Sequence, residues 1–210
     1  MAEAAYLPLP YPETGVVEAD SLAAQRLAVA SDLPERPVVL GGCCCAHIGA
    51  VEALAARRGR LALVWLDAHG DLNTPASSPS GNEWGMPLRM LLDAGVVAPA
   101  DVALVGARSL DPPERTFIET VGLHVDGEDA AARALAGVEA AYVAIDGDVL
   151  REAEIRAFMP EPGGLSVNEA ERLLRAVAAR AEVVGVGVSG LRPDAANVAP
   201  ITRLLAALGL

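Results

Sequence analysis

Uninterrupted apolar runs of strand length recur along the chain at residues 37–40, 60–66, 102–105, 140–145 and 183–188. A strand that is apolar at successive positions has to be covered on both faces, and that requirement is met by parallel strands joined through crossover helices. Helical patterns fall between and around the runs, at residues 21–31, 48–57, 85–92, 114–120, 167–181 and 198–208. The expected fold class is therefore α/β, a mostly parallel sheet with helices on both faces.

No internal repeat or low-complexity tract interrupts this alternation, so residues 1–210 are expected to form a single domain. Residues 1–35 carry Pro8, Pro10, Pro12 and Pro34 with little periodicity beyond one short helix, and read as a lead-in to a core at 36–210. A net charge of −12 and a pI near 4.6 set the whole field against a polyanion, which disfavours nucleic acid as a partner. No apolar run approaches the roughly 20 residues that span a bilayer, and no secretory leader opens the chain. A soluble, cytoplasmic protein with no membrane partner is expected. The cysteines are consecutive, Cys43, Cys44 and Cys45, which suits a reducing compartment rather than a disulfide framework.

In open parallel sheets ligands bind beyond the carboxyl ends of the strands, so the residues after each apolar run carry most of the chemical information. After the second run come Asp67, His69 and Asp71, at i, i+2 and i+4, which an extended backbone would project to one side. After the fourth come Asp146 and Asp148, again two apart. Four carboxylates and an imidazole at one sheet edge repel their own ionisation unless cations neutralise them, and oxygen-rich sets suit hard or borderline divalent metals. The first run ends in Gly41-Gly42 and the three cysteines. There the thiols could be ligands, low-pKa groups at a helix start, or small buried apolar residues. His47 and His124 read as structural.

Several segments together resemble the arginase and agmatinase superfamily, the ureohydrolases: the Gly-Gly at 41–42, Asp67-Ala68-His69-Gly70-Asp71-Leu72-Asn73-Thr74-Pro75, Ser80-Gly81-Asn82-Glu83-Trp84-Gly85-Met86-Pro87-Leu88, and Asp146-Gly147-Asp148. The resemblance covers residues 37–205, in a chain that is short for the family. It implies a three-layer α/β/α fold and a cofactor of two divalent metal ions, manganese in the family. Asp67 and Asp146 would bridge both ions, Asp71 would bind one, and His69 with Asp148 the other. The implied reaction is hydrolysis of a C–N bond in a small guanidino, amidino or amide substrate, with a hydroxide held between the metals as nucleophile.

The resemblance also implies that Asn73, Ser80 and Asn82 read a substrate carboxylate, while Asp111 and Glu114 read an ammonium group. Read without it, Asp111 and Glu114 form an ordinary loop-to-helix junction with a helix-starting proline. Ser166, in Gly163-Gly164-Leu165-Ser166, would contact the reacting group; its plain reading is a helix cap. A homo-oligomer, trimer or hexamer, follows from the resemblance alone.

At three places the chain departs from the family pattern. Cys44 falls where a metal-binding histidine is expected and Cys43 where an aspartate is; a thiolate there would tilt metal choice toward zinc, iron, cobalt or nickel. Trp84 replaces a proton-transferring histidine, and indole has no acid–base chemistry near neutral pH. Gly190 aligns with a glutamate that pairs with the guanidinium. An arginase-like protein that binds or regulates without catalysis is the alternative these departures raise.

Overall fold

A computed structural model describes residues 6–210; residues 1–5 of the expected lead-in lie outside the described residues. In chain order the elements are α1 (Leu22–Ser31), β1 (Val38–Leu40), α2 (His47–Arg58), β2 (Leu61–Leu66), α3 (Pro87–Asp93), β3 (Val102–Val105), α4 (Pro112–Val121), β4 (His124–Val125), α5 (Gly127–Ala134), β5 (Ala140–Asp146), α6 (Val167–Ala178), β6 (Glu182–Ser189) and α7 (Val198–Ala207). The strands form one six-stranded sheet in the order β1-β6-β5-β2-β3-β4, and every pairing is parallel.

Why the runs are apolar throughout is visible in β2. Ala62, Val64 and Leu66 pack into one hydrophobic layer with residues of α5, α6 and α7. Leu61, Leu63 and Trp65 pack into the other, with residues of α2, α3 and α4. All six are buried, and complete burial of a Leu- or Val-sized side chain contributes about 1.5–3 kcal/mol each, so neither face tolerates a polar residue. This is the three-layer α/β/α arrangement expected from the sequence.

Two elements escaped the sequence pattern. β4 is only two residues long, too short for any periodicity, and α5 presents the small residues Ala130, Ala131 and Ala134 to the core instead of a stripe of large ones. The 167–181 pattern overshoots as well, because α6 closes at Ala178. Among the described residues, no helix is long and apolar enough to cross a membrane.

The strand order places β2 beside β5, with Leu66 paired to Ile145, and β5 beside β6, with Asp146 paired to Ser189. The carboxyl ends of strands far apart in sequence thus meet at the middle of one sheet edge.

Candidate metal centre

A cavity of about 260 Å³ opens at that edge. Cys44, Asp67, His69, Asp71, Asp146 and Asp148 all line it. Each arrives there by a local device that its sequence explains.

Cys44 comes from β1. Gly41 donates its N–H to Val188 O at 2.8 Å, and the chain then turns so sharply that a Cβ on Gly41 would lie 2.3 Å from Ala46 Cβ. That turn delivers Cys44, buried, with Sγ 3.5 Å from Asp67 Oδ2, 3.4 Å from Asp146 Oδ2 and 3.0 Å from Ser189 Oγ. Cys45 is buried in the layer beneath α2, while Cys43 is half-buried and lines the cavity.

Asp67, His69 and Asp71 do converge, but not through an extended backbone, which corrects the geometry expected from their spacing. β2 stops at Leu66, residues 67–71 bend, and Asp71 adopts φ +54°, a left-handed conformation that aspartate tolerates better than most side chains. Glu114 holds the bend in place: its Oε1 accepts from Leu72 N at 2.9 Å, and its Oε2 accepts from Asp111 N at 2.9 Å. Gly70 makes room for this carboxylate, since a Cβ there would come within 2.7 Å of Glu114 Oε1. The second acidic pair is also a turn. Asp146 ends β5, its Oδ1 accepts from Asp148 N at 3.1 Å, and Asp148 Oδ1 accepts from Ala68 N at 3.0 Å, which ties the two acidic loops together.

Electrostatically the cluster is a set of buried acids in want of positive charge. Burial pushes the Asp146 carboxyl up to about 7, with the neighbouring Asp148 adding to the effect. Burial raises Asp67 and Asp148 as well, and Asp71 is pushed well above the usual carboxylate range by burial and then by Asp67 and Asp146. The same burial, with Asp146 and Asp67 alongside, raises the Cys44 thiol. His69 is raised too, but toward its charged form: hydrogen bonds to Asp148 and Asp67 push it up to about 12, and its Nδ1 lies 3.0 Å from Asp148 Oδ2. Its Nε2 is 3.3 Å from Glu161 Oε1.

The donor set fits a pair of metal ions. Atoms of Cys44, Asp67 and Asp146 lie within 4.8 Å of one another, as do atoms of Asp67, His69 and Asp148, so Asp67 belongs to both triplets. Asp71 is in neither triplet, yet its Oδ2 is buried without a hydrogen-bond partner, an orphan that a cation would satisfy.

Of the residues expected to read substrate, Asn73, Ser80, Asp111 and Glu114 line the cavity. Asn73 Nδ2 donates to Asp111 Oδ2 at 2.8 Å. Asn82 is exposed at the start of the Glu83–Gly85 turn, and Ser166 caps α6; neither is brought into the cavity lining. The Ser166 hydroxyl accepts from Glu169 N at 3.2 Å and Ser166 N donates to Glu169 Oε2 at 2.8 Å, the reciprocal pattern of a capping box.

Sequence reasoning missed Ser189. Its buried hydroxyl donates to Asp146 Oδ2 at 3.2 Å and contacts both Cys44 Sγ and His47 Nε2, the latter at 3.1 Å. A signal was available, because Ser189 follows the 183–188 run just as the aspartates follow theirs. His47 itself is fully buried behind the site against Tyr142 and Trp65, in keeping with a structural role.

A model of the arginase family matches residues 7–208. The chain belongs to the arginase family. An arginase of Staphylococcus aureus (strain MRSA252) is 45% identical over 93 residues, a match covering 40% of this chain and 31% of that protein. The native structure of Bacillus caldovelox arginase superposes with a TM-score of 0.78 at 24% identity, covering 96% of this chain and 82% of that one. Proclavaminate amidino hydrolase from Streptomyces clavuligerus gives a TM-score of 0.70 at 27% identity, covering 89% and 66%. The matched stretch therefore spans about a third of the length of the curated arginase.

Within the arginase family's pattern, the structure supplies a physical reason for the departure at Gly190. Gly190 has φ +66°, and a Cβ there would fall 2.0 Å from Asp146 Oδ1. With the backbone in this course, a side chain at the position would run into the Asp146 carboxylate.

Proposed function

We propose that this chain is a metal-dependent hydrolase of the ureohydrolase type, cleaving a C–N bond of a small guanidino, amidino or amide compound. The observation that carries the proposal is the pair of donor triplets sharing Asp67 at the floor of the cavity. In this reading Cys44, Asp67, Asp71 and Asp146 hold one divalent ion, while Asp67, Asp146, His69 and Asp148 hold a second. When bound, such a pair supplies the Lewis acidity that activates water toward a trigonal carbon.

The remaining roles belong to the chain. Burial keeps the carboxylates out of competing solvent, and the Glu114 carboxylate, spent on Leu72 N and Asp111 N, orients the loop that carries Asp71 instead of reaching substrate. Asn73, Ser80 and Asp111 offer polar groups to one end of the substrate. Because Gly190 leaves no carboxylate opposite the reacting group, arginine is a poor substrate in this reading. Manganese is the metal the family favours, and the Cys44 thiol shifts preference toward zinc, iron, cobalt or nickel.

Elemental analysis of the purified protein is the first test. Close to two ions per chain are expected, falling sharply in Asp67→Ala and Asp146→Ala, with ammonia, urea or amine released from a small amidine and amide panel once metal is restored. Cys44→Ser should weaken uptake of one ion and shift selectivity from zinc toward manganese. An unaltered metal content across all three variants would remove the proposal's foundation. The indole of Trp84 at the proton-transfer position favours a second reading, an arginase-family protein that binds metal and ligand without turnover. Full metal content with no release from any compound in the panel would favour it.

A further inference from the structure

The chain has only seven aromatic residues, two Trp, two Phe and three Tyr, and two of them stand at the mouth of the metal cavity. Trp84 and Phe158 face each other with ring centroids 6.5 Å apart, and Met159 lies beside Phe158 in the chain; all three line the cavity. They remain 38%, 47% and 47% exposed, although large apolar groups are ordinarily covered. The other exposed large apolar side chains among the described residues, Tyr6, Val16, Val17 and Leu27, all belong to the N-terminal segment.

This wall is fixed to the metal site at both ends. Phe158 N donates to Gly190 O at 2.7 Å, and Gly190 adjoins Ser189, whose hydroxyl donates to Asp146. On the other side, Asn73 N donates to Gly85 O at 3.0 Å, and Cys45 Sγ approaches Glu83 O at 3.5 Å, so the turn carrying Trp84 is held to the loops carrying Asp71 and Cys44. The polar Asn73 and Asp111 also line the cavity. One wall of the cavity is thus apolar, half-exposed and held at a set position relative to the acidic cluster.

We propose that Trp84, Phe158 and Met159 form a specificity wall for an aromatic or alkyl arm of the substrate, so that the compound cleaved is an apolar-substituted amide or amidine. The proposal rests on the hydrolase reading above and names its substrate class. An arm of one or a few carbons against such a wall changes affinity by about tenfold or more, as apolar pockets generally do.

The test uses two metal-chelating probes with the same head and different arms, acetohydroxamate and benzohydroxamate, titrated calorimetrically into the full, manganese-loaded chain. Benzohydroxamate should bind at least about tenfold more tightly, and the ratio of the two affinities should fall to within about threefold in a Trp84→Ala, Phe158→Ala double variant. Trp65 is fully buried, so benzohydroxamate should also perturb the emission of Trp84 while acetohydroxamate leaves it unchanged. Equal affinity for the two probes, or a ratio that survives the double substitution, overturns the wall and leaves the hydrolase reading standing. Failure of both probes to bind metal-loaded protein overturns both.

Discussion

At the scale of single residues, the site depends on positions where one atom too many would do damage. Gly190→Ala forces a methyl group against the Asp146 carboxylate and strains a left-handed residue. We predict a loss of about 1–3 kcal/mol in urea unfolding together with weaker metal uptake, and a wild-type midpoint with full metal content would refute it. His47 gives a pH-dependent case. Burial alone pulls its imidazole down to about 3 from 6.5, so the folded protein holds it neutral. The unfolded chain binds the extra proton between those values; the resulting stability is present in full above pH 6.5 and is lost as pH falls toward 3, by at most about 5 kcal/mol. The stability gap between wild type and His47→Asn should therefore shrink as pH is lowered from 7 to 4, and a constant gap would count against the assignment. The candidate donors could be picked out from sequence because they come shortly after apolar strands. The Phe158 and Met159 positions were not, since their place depends on the long-range bridge between Ala157 and Leu191.

At the scale of elements, what a side chain does locally separates roles that spacing alone leaves open. Ser166 is the N-cap of α6, bonded reciprocally to Glu169. Ser166→Ala should cost about 1 kcal/mol of stability in denaturant unfolding and leave metal content unchanged. Loss of hydrolysis beyond that destabilisation would instead restore the hydroxyl to the reacting group. Most strands and helices could be read in advance, because a run buried on both faces has to be apolar throughout and a covering helix has to be amphipathic. The loops could not: the left-handed course of Asp71 is dictated by Glu114, more than 40 residues later in the chain. Arg108 illustrates the same limit. Its guanidinium donates to Asp148 O, Glu161 O, Pro162 O and Gly106 O, and so holds the segment with Glu161 over the acidic loops, a clamp with no sequence signature of its own.

For the whole molecule, four acids buried beyond the carboxyl ends of the two central strands link folding to cation binding in the proposed reading. A ligand that binds only the folded form at a hundred times its dissociation constant adds about 2.7 kcal/mol, so manganese should raise the melting temperature by roughly 5–10 °C and a chelator should reverse the shift. A melting curve indifferent to both would contradict the linkage. The sheet order carries a consequence for how the protein is made. β5 lies between β2 and β6, yet it is synthesised long after Asp67, His69 and Asp71 have left the ribosome. A nascent chain that ends in α5 already carries those three donors but lacks Asp146 and Asp148, the donors that β5 and its following turn bring. In the proposed reading, uptake of the complete ion pair therefore waits for the insertion of β5 beside β2.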